Sequence, residues 1–207
     1  MQARTPLLPW QPEHGKRDAI LTSAYNTFAE FGYANTKIET IAERAGVGKG
    51  TVYLYFKNKN DLFRQMIQEL IAWHLSILRE QITGPHSALD RLRTLLRVHL
   101  TMLAGRTYPF HLHGRDIGHV DDELHLWLRE QKQRFLEDLR RLIEEGIAEG
   151  AFRTVCPRLA ALWLFATLNV TLIDDAALST EQVAGLIELV EHGLRASNEE
   201  HPTPIAG

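Results

Sequence analysis

The 207-residue chain predicts an all-α fold: an N-terminal three-helix unit, a connecting helix and a larger helical bundle. Three observations carry this. Apolar residues recur at helical spacing in one stretch after another. Several stretches open on a hydroxyl, amide or carboxylate side chain suited to an exposed helix start. They close on glycine or proline, as at Gly32, Gly46, Gly105, Gly150 and Thr83-Gly84-Pro85. An apolar content of 44% is enough to bury a real core.

Residues 1–15 are proline-rich and read as a flexible arm without the apolar run of a signal peptide. Lys16 to Phe31 form the first helix, with Ile20, Ala24, Phe28 and Phe31 on one face and Gly32 closing it. Thr36 and Glu39 have the spacing of a capping box that starts the second helix. Ile38, Ile41, Ala42 and Ala45 supply its apolar stripe. Gly46 stands where a helix end needs a left-handed residue, which glycine adopts without steric cost. Val47 and Val52 turn inward and pin a third, short helix against the second, completing a unit over residues 16–58. Asn58 with Asp61 offers a similar cap to the connecting helix, about Lys59 to Gln81.

Beyond it, Ser87 to Ala104 predict another helix, and Pro109, Gly114 and Gly118 predict an interrupted one within Tyr108 to His119. Asp121 to Glu149 form a long amphipathic helix with Leu124, Leu128, Phe135, Leu139 and Leu142 as its seam. Its acidic start suits the helix dipole. Leu159 to Ile173 is apolar nearly all round, interrupted only by Thr167, Asn169 and Thr171. It is too short to span a bilayer, so it must be buried on both sides. Ser179 to Ala196 follows, with a capping box at Ser179 and Gln182. Two such helices in succession suggest a homodimer interface, which across a two-fold axis makes a four-helix bundle. Leu162, Phe165, Val183, Leu186, Ile187, Val190 and Leu194 are its expected residues. The bundle thus occupies 59–196, and 197–207 is a polar tail.

The helix–turn–helix over Thr36 to Leu62 carries the clearest chemistry. With Val47 and Val52 inward, its second helix presents Lys49, Gly50, Thr51, Tyr53, Leu54 and Tyr55 outward. Gly50 lets a backbone approach base edges; the hydroxyls bond phosphates or bases, and Lys49 pairs with guanine or phosphate. Thr36, Lys37, Gly48 and Lys59 flank this face and complete the expected contact set for double-stranded DNA. The overall charge of −3 argues against a nucleic-acid partner, but its distribution does not. Residues 1–60 hold eight Lys/Arg and five Asp/Glu, and the remainder fifteen and twenty-one, so the cationic excess lies with the motif.

The elements Ile41-Ala42, Ala45-Gly46-Val47, Gly50-Thr51-Val52-Tyr53, Tyr55-Phe56 and Lys59-Asn60-Asp61-Leu62 resemble the TetR family of bacterial transcriptional regulators, as does the preceding Phe31-Gly32-Tyr33. Gly48 departs from the family's usual serine, and Glu39 stands where several members carry a basic or polar residue. The resemblance implies a cytoplasmic homodimer that represses from a palindromic operator until a small apolar or aromatic inducer binds. It places the inducer among the helices of the C-terminal body. By residue type, Trp73, His99, Met102, Leu103, Tyr108, Phe110, His113, Trp127, Phe165 and Asn169 are the expected lining. Asn169 stands out, because an amide in an apolar helix needs a partner when buried.

A metal-responsive regulator is the alternative. His99, His111, His113, His119 and His125 cluster in sequence near several carboxylates, a donor set that suits zinc. No two histidines have the i, i+4 spacing that would put a pair of ligands on one helix face. No cofactor and no catalytic activity are expected, since neither a Gly-x-Ser-x-Gly turn nor a phosphate-binding glycine loop occurs. The lone Cys156 excludes an intrachain disulfide and fits a reducing compartment. No stretch approaches the ~20 apolar residues of a membrane span.

Overall fold

Eight helices dominate residues 8–104, 121–168 and 179–196, the portion described by this computed structural model. They are α1 (Lys16–Asn35), α2 (Ile38–Arg44), α3 (Lys49–Tyr55), α4 (Lys59–Ile82), α5 (Ala88–Ala104), α6 (Asp122–Ala148), α7 (Pro157–Leu168) and α8 (Thr180–Leu194). Of the three caps expected from the sequence, those at Asn58 and Ser179 form, and Asp121 supplies one that was not expected. Asn58 accepts the Asp61 amide at 2.9 Å to start α4, and Asp121 accepts the Leu124 amide at 3.1 Å to start α6. Ser179 and Gln182 exchange both bonds of a capping box.

The first expected cap does not form. Thr36 is 2% exposed, and its hydroxyl donates back to the Gly32 carbonyl at 2.7 Å. The hydroxyl therefore finishes α1 rather than starting α2, whose N-cap is Lys37 with no side-chain bond. Gly32 breaks α1 with φ 76°, and Gly46 ends the α2 turn region with φ 66°. Phe31, expected on the buried face, lies outside, under the Arg44 guanidinium at 5.2 Å.

Two apolar cores result. The first joins Ile20, Leu21, Ala24, Phe28, Ile41, Val52 and Phe56 to Leu62, Phe63, Met66, Ile67 and Leu70 of α4. The second lies in the body and joins Leu78 and Ile82 to α5, α6, α7 and α8. There is no packing break at the expected 58/59 boundary, because α4 runs through both cores. So does α6: Leu124 is fully buried in the first core, while Phe135, Leu139, Leu142 and Ile143 belong to the second. With 27 residues, α6 is about 40 Å long, enough to reach from one core to the other.

The first core also takes in part of the expected flexible arm. Trp10 is buried, and its indole N–H donates to Glu69 at 2.6 Å, where Arg17 also binds. At the far end of α6, Gly146 is packed against Phe152 so closely that a Cβ would lie 2.1 Å from the ring. The turn there hydrogen-bonds back to the end of α8, through the Arg153 amide to the Leu194 carbonyl at 2.9 Å.

A candidate nucleic-acid interface and the body behind it

Helix α3 is held by one inward residue, Val52, and everything large on it otherwise points out. Leu54 is 82% exposed, and Tyr53, Tyr55, Lys49 and Gly50 are exposed beside it. A Cβ at Gly50 would meet nothing within 4 Å, so the protein's own packing does not demand glycine there. The Lys49 ammonium pairs with Glu39 of α2 at 2.6 Å and lies 5.8 Å from the centre of the Tyr53 ring. The hydrogen bond from Lys49 holds the Glu39 carboxyl below the usual carboxylate range. This pairing of the two helices was not anticipated from the sequence; Glu39, ten residues before Lys49, is the only signal of it.

Of the flanking residues, Lys37 and Gly48 are exposed, but two others turn elsewhere. Thr36 is spent on the Gly32 carbonyl, as above. Lys59 donates to the carbonyls of Tyr33, Ala34 and Thr36 at 2.8, 3.3 and 3.1 Å, and its ammonium sits 4.5 Å from the Tyr33 ring centre. It clamps the end of α1 to the start of α4 and is no open cation. The neighbouring Asp61 is buried. Burial raises its pKa, but the Lys57 amide and the Gln65 and Arg64 side chains outweigh that and hold the carboxyl low. Arg64 and Asn60 in turn bind the start of α6: Arg64 pairs with Glu123, and the Asn60 amide donates to Asp121 at 2.8 Å.

In the body, the expected lining residues divide. His99, Met102 and Phe165 belong to the second core, with Phe165 edge-on to Phe135 at 6.4 Å and beneath Lys132. Trp73 and Trp127 pack instead against the first core. Leu103 lies on α5; Tyr108, Phe110, His113 and Asn169 lie outside the described residues. The unforeseen member is His74, buried on α4 in the stripe Ile67, Leu70, His74, Leu78. Its Nε2 meets His99 Nδ1 at 3.0 Å, and His99 Nε2 meets the Leu168 carbonyl at 2.5 Å. A carbonyl only accepts, so His99 Nε2 carries the hydrogen. Burial lowers the His99 pKa to about 4, overcoming the opposing effect of the Leu168 bond. His99 is therefore neutral near pH 7, its Nδ1 accepts, and His74 Nε2 donates to it. A polar signal in that apolar stripe was legible, but its partner was not.

Two family models match this chain: "Bacterial regulatory proteins, tetR family" over residues 20–66, and "Tetracyclin repressor-like, C-terminal domain" over residues 85–172. The chain belongs to the TetR family. The fatty acid metabolism regulator protein of Bacillus subtilis is 29% identical over 153 residues, 73% of this chain and 79% of that one. The solved fatty acid degradation regulator FadR of Bacillus halodurans is 29% identical with a TM-score of 0.73, covering 88% of this chain and 97% of that one. FadR of Bacillus subtilis, solved in complex with stearoyl-CoA, is 27% identical with a TM-score of 0.70 over 84% of this chain and 97% of that one.

In this TetR-family protein the residues expected at a dimer interface differ in how much surface they expose. Val183, Val190 and Leu194 are buried in the chain's own core, and Leu186, Ile187 and Phe165 pack against it. Val183, Val190 and Leu194 have little surface left for a second copy, whereas the half-buried Leu186, Ile187 and Phe165 keep part of theirs. Leu162 does face out, joined by Leu159, Trp163 and Leu189, beside a groove of about 370 Å3 that Arg153, Cys156 and Trp163 help to line. As for metal, His111, His113 and His119 lie outside the described residues, His125 is exposed, and both ring nitrogens of His99 are bonded. Among the described residues no three metal-ligating side chains come together. Among them, too, no helix is long and apolar enough to cross a membrane.

Proposed function

We propose that this protein is a homodimeric repressor that reads a palindromic operator through α3 and releases it when a fatty acyl-CoA binds in the body. The observation that carries the DNA-binding part is the outward side of α3. Its Lys49, Gly50, Tyr53, Leu54 and Tyr55 are exposed, while Val52 alone is fully buried and anchors the helix. A major groove accepts such a helix, and polar tips on apolar stems suit contacts to both base edges and phosphates. The exposed Leu159, Leu162, Trp163 and Leu189 supply the self-complementary face of a two-fold dimer. That dimer must set its two recognition helices about 34–36 Å apart to meet successive grooves.

The acyl class comes from the fatty-acid regulators of Bacillus, and the apolar body around α5, α6 and α7 is compatible with it. Shifting the operator-competent fraction from 99:1 to 1:99 takes about 5.5 kcal/mol of differential affinity. At about 0.8 kcal/mol per buried methylene, some seven methylenes buried in only one of the two states suffice. The His74–His99–Leu168 chain offers a route from that body to α4, which carries the DNA-reading unit.

Selection of bound sequences from a random duplex library, followed by titration of the recovered duplex with stearoyl-CoA, tests both parts. We expect one palindromic sequence and its release by stearoyl-CoA but not by coenzyme A alone. If no sequence is enriched, the DNA-binding reading fails. An enriched duplex that stearoyl-CoA leaves bound removes the ligand class and keeps the rest.

A further inference from the structure

We infer that Glu39 and Lys49 act as one reading unit for a single G·C base pair, the lysine on the guanine and the glutamate on the cytosine. The inference rests on the DNA-binding reading above and adds a base specificity and a residue, Glu39, to it. The two side chains bridge α2 and α3 with 2.6 Å between ammonium and carboxylate, and both are about half exposed, at 51% and 58%. An ion pair so open to water contributes little to folding, so stability does not account for it. It also lies beside the residues that α3 turns outward, Gly50 and Tyr53 among them, with Lys49 near the Tyr53 ring.

A carboxylate in that position works against phosphate binding. It cancels the charge of Lys49, so the pair brings no net cation to the backbone and gains nothing from counterion release. Its value must come from what carboxylates do in the major groove, which is to accept from the cytosine N4 amine. Across one G·C pair the groove presents guanine N7 and O6, both acceptors, next to that donor. Guanine O6 and cytosine N4 are bonded to each other, so they lie roughly 3 Å apart. A donor and an acceptor held in contact on the protein match this edge in order and spacing. An A·T pair places its one donor between two acceptors, so with the carboxylate on that donor the lysine reaches a single acceptor, against the adjacent N7 and O6 of guanine. The pair therefore favours G·C through the second acceptor that guanine offers the lysine.

The test selects sequences from one random duplex library with the wild type, Glu39→Gln and Lys49→Gln, and then titrates each protein against the selected and a scrambled duplex. We expect a G·C pair at one half-site position of the wild-type motif, lost at that position and kept elsewhere in both variants. Glu39→Gln should also bind scrambled duplex more tightly and gain about 0.9 in salt slope, as one more phosphate is neutralised. That slope makes its affinity fall about 3.5-fold further between roughly 50 and 200 mM salt. Because the pair is exposed, both variants are expected to keep the wild-type melting temperature. Should one fail to fold, the other decides the matter alone. A motif that either folded variant leaves unchanged at every position overturns the inference while the DNA-binding reading stands. If the wild type enriches no sequence, both fall.

Discussion

Helix α3 and the α7–α8 pair both expose large side chains, and the chemistry of those side chains differs. On α3 they are two tyrosines, a lysine and one leucine, so that most carry a polar tip. On α7 and α8 they are Leu159, Leu162, Trp163 and Leu189, with one indole N–H among four apolar bodies. The first set stays solvated when free and can exchange water for phosphates and base edges. The second gains only by leaving water, as it would against a copy of itself. Exposure alone does not distinguish a partner; the tips do.

The sharpest break in this comparison comes from two adjacent residues on α8. Val190 is 1% exposed and Leu189 68%. Val190→Glu buries a charge without a partner and should cost more than about 4 kcal/mol, abolishing the thermal unfolding transition or lowering it by tens of degrees. Leu189→Glu should leave the melt of the isolated protomer near wild type yet give monomers by light scattering. Intact dimers with Leu189→Glu would move the interface off α7 and α8.

His99 produces the next largest effect. Its folded pKa of about 4 lies below the ordinary value of 6.5, so the unfolded chain binds the proton first as pH falls. Its share of stability is complete above pH 6.5 and drains away toward pH 4, by roughly 3 kcal/mol at the fully buried limit. Urea melts across that window should show the slope in the wild type and a flatter profile in His99→Gln.

On α3 the expected losses are of affinity and not of stability. Thr51→Ala should cost about 1–3 kcal/mol of operator binding if its hydroxyl meets a base, with Lys49→Ala and Tyr53→Phe also weakening it. Melting temperatures that fall in parallel would show that these residues hold the fold instead. Gly50→Ala is the most delicate test. A helical alanine should stabilise the protein by up to about 1 kcal/mol, since nothing lies within 4 Å of the new Cβ, while operator affinity drops. Unchanged affinity would mean that no base edge approaches the backbone there.

The same contrast explains what was legible in the sequence. Caps at Asn58 and Ser179 depend on residues three positions apart, and both form. Thr36 has the same local pattern but a competing acceptor four residues back, and the Gly32 carbonyl wins. Periodicity identifies Val183, Val190 and Leu194 as one face of α8 but carries no information about whose surface they meet. Lys59 reads as a free cation until the fold brings three carbonyls to it. The His74–His99 contact and the Glu39–Lys49 pair depend on how helices lie against each other, which local spacing does not encode.

Leu124 has an implication for how such a chain can be taken apart. It is fully buried among residues of the N-terminal unit although it enters the sequence some forty residues after α4 ends. A fragment ending after α4 would keep every residue of the helix–turn–helix and still have an empty socket in its core. Arg64 and Asn60 would lose their acidic partners at the same seam. The reading head is therefore no cassette to be grafted onto another body by cutting in the connecting helix. A working chimera must bring the first turns of α6 with it.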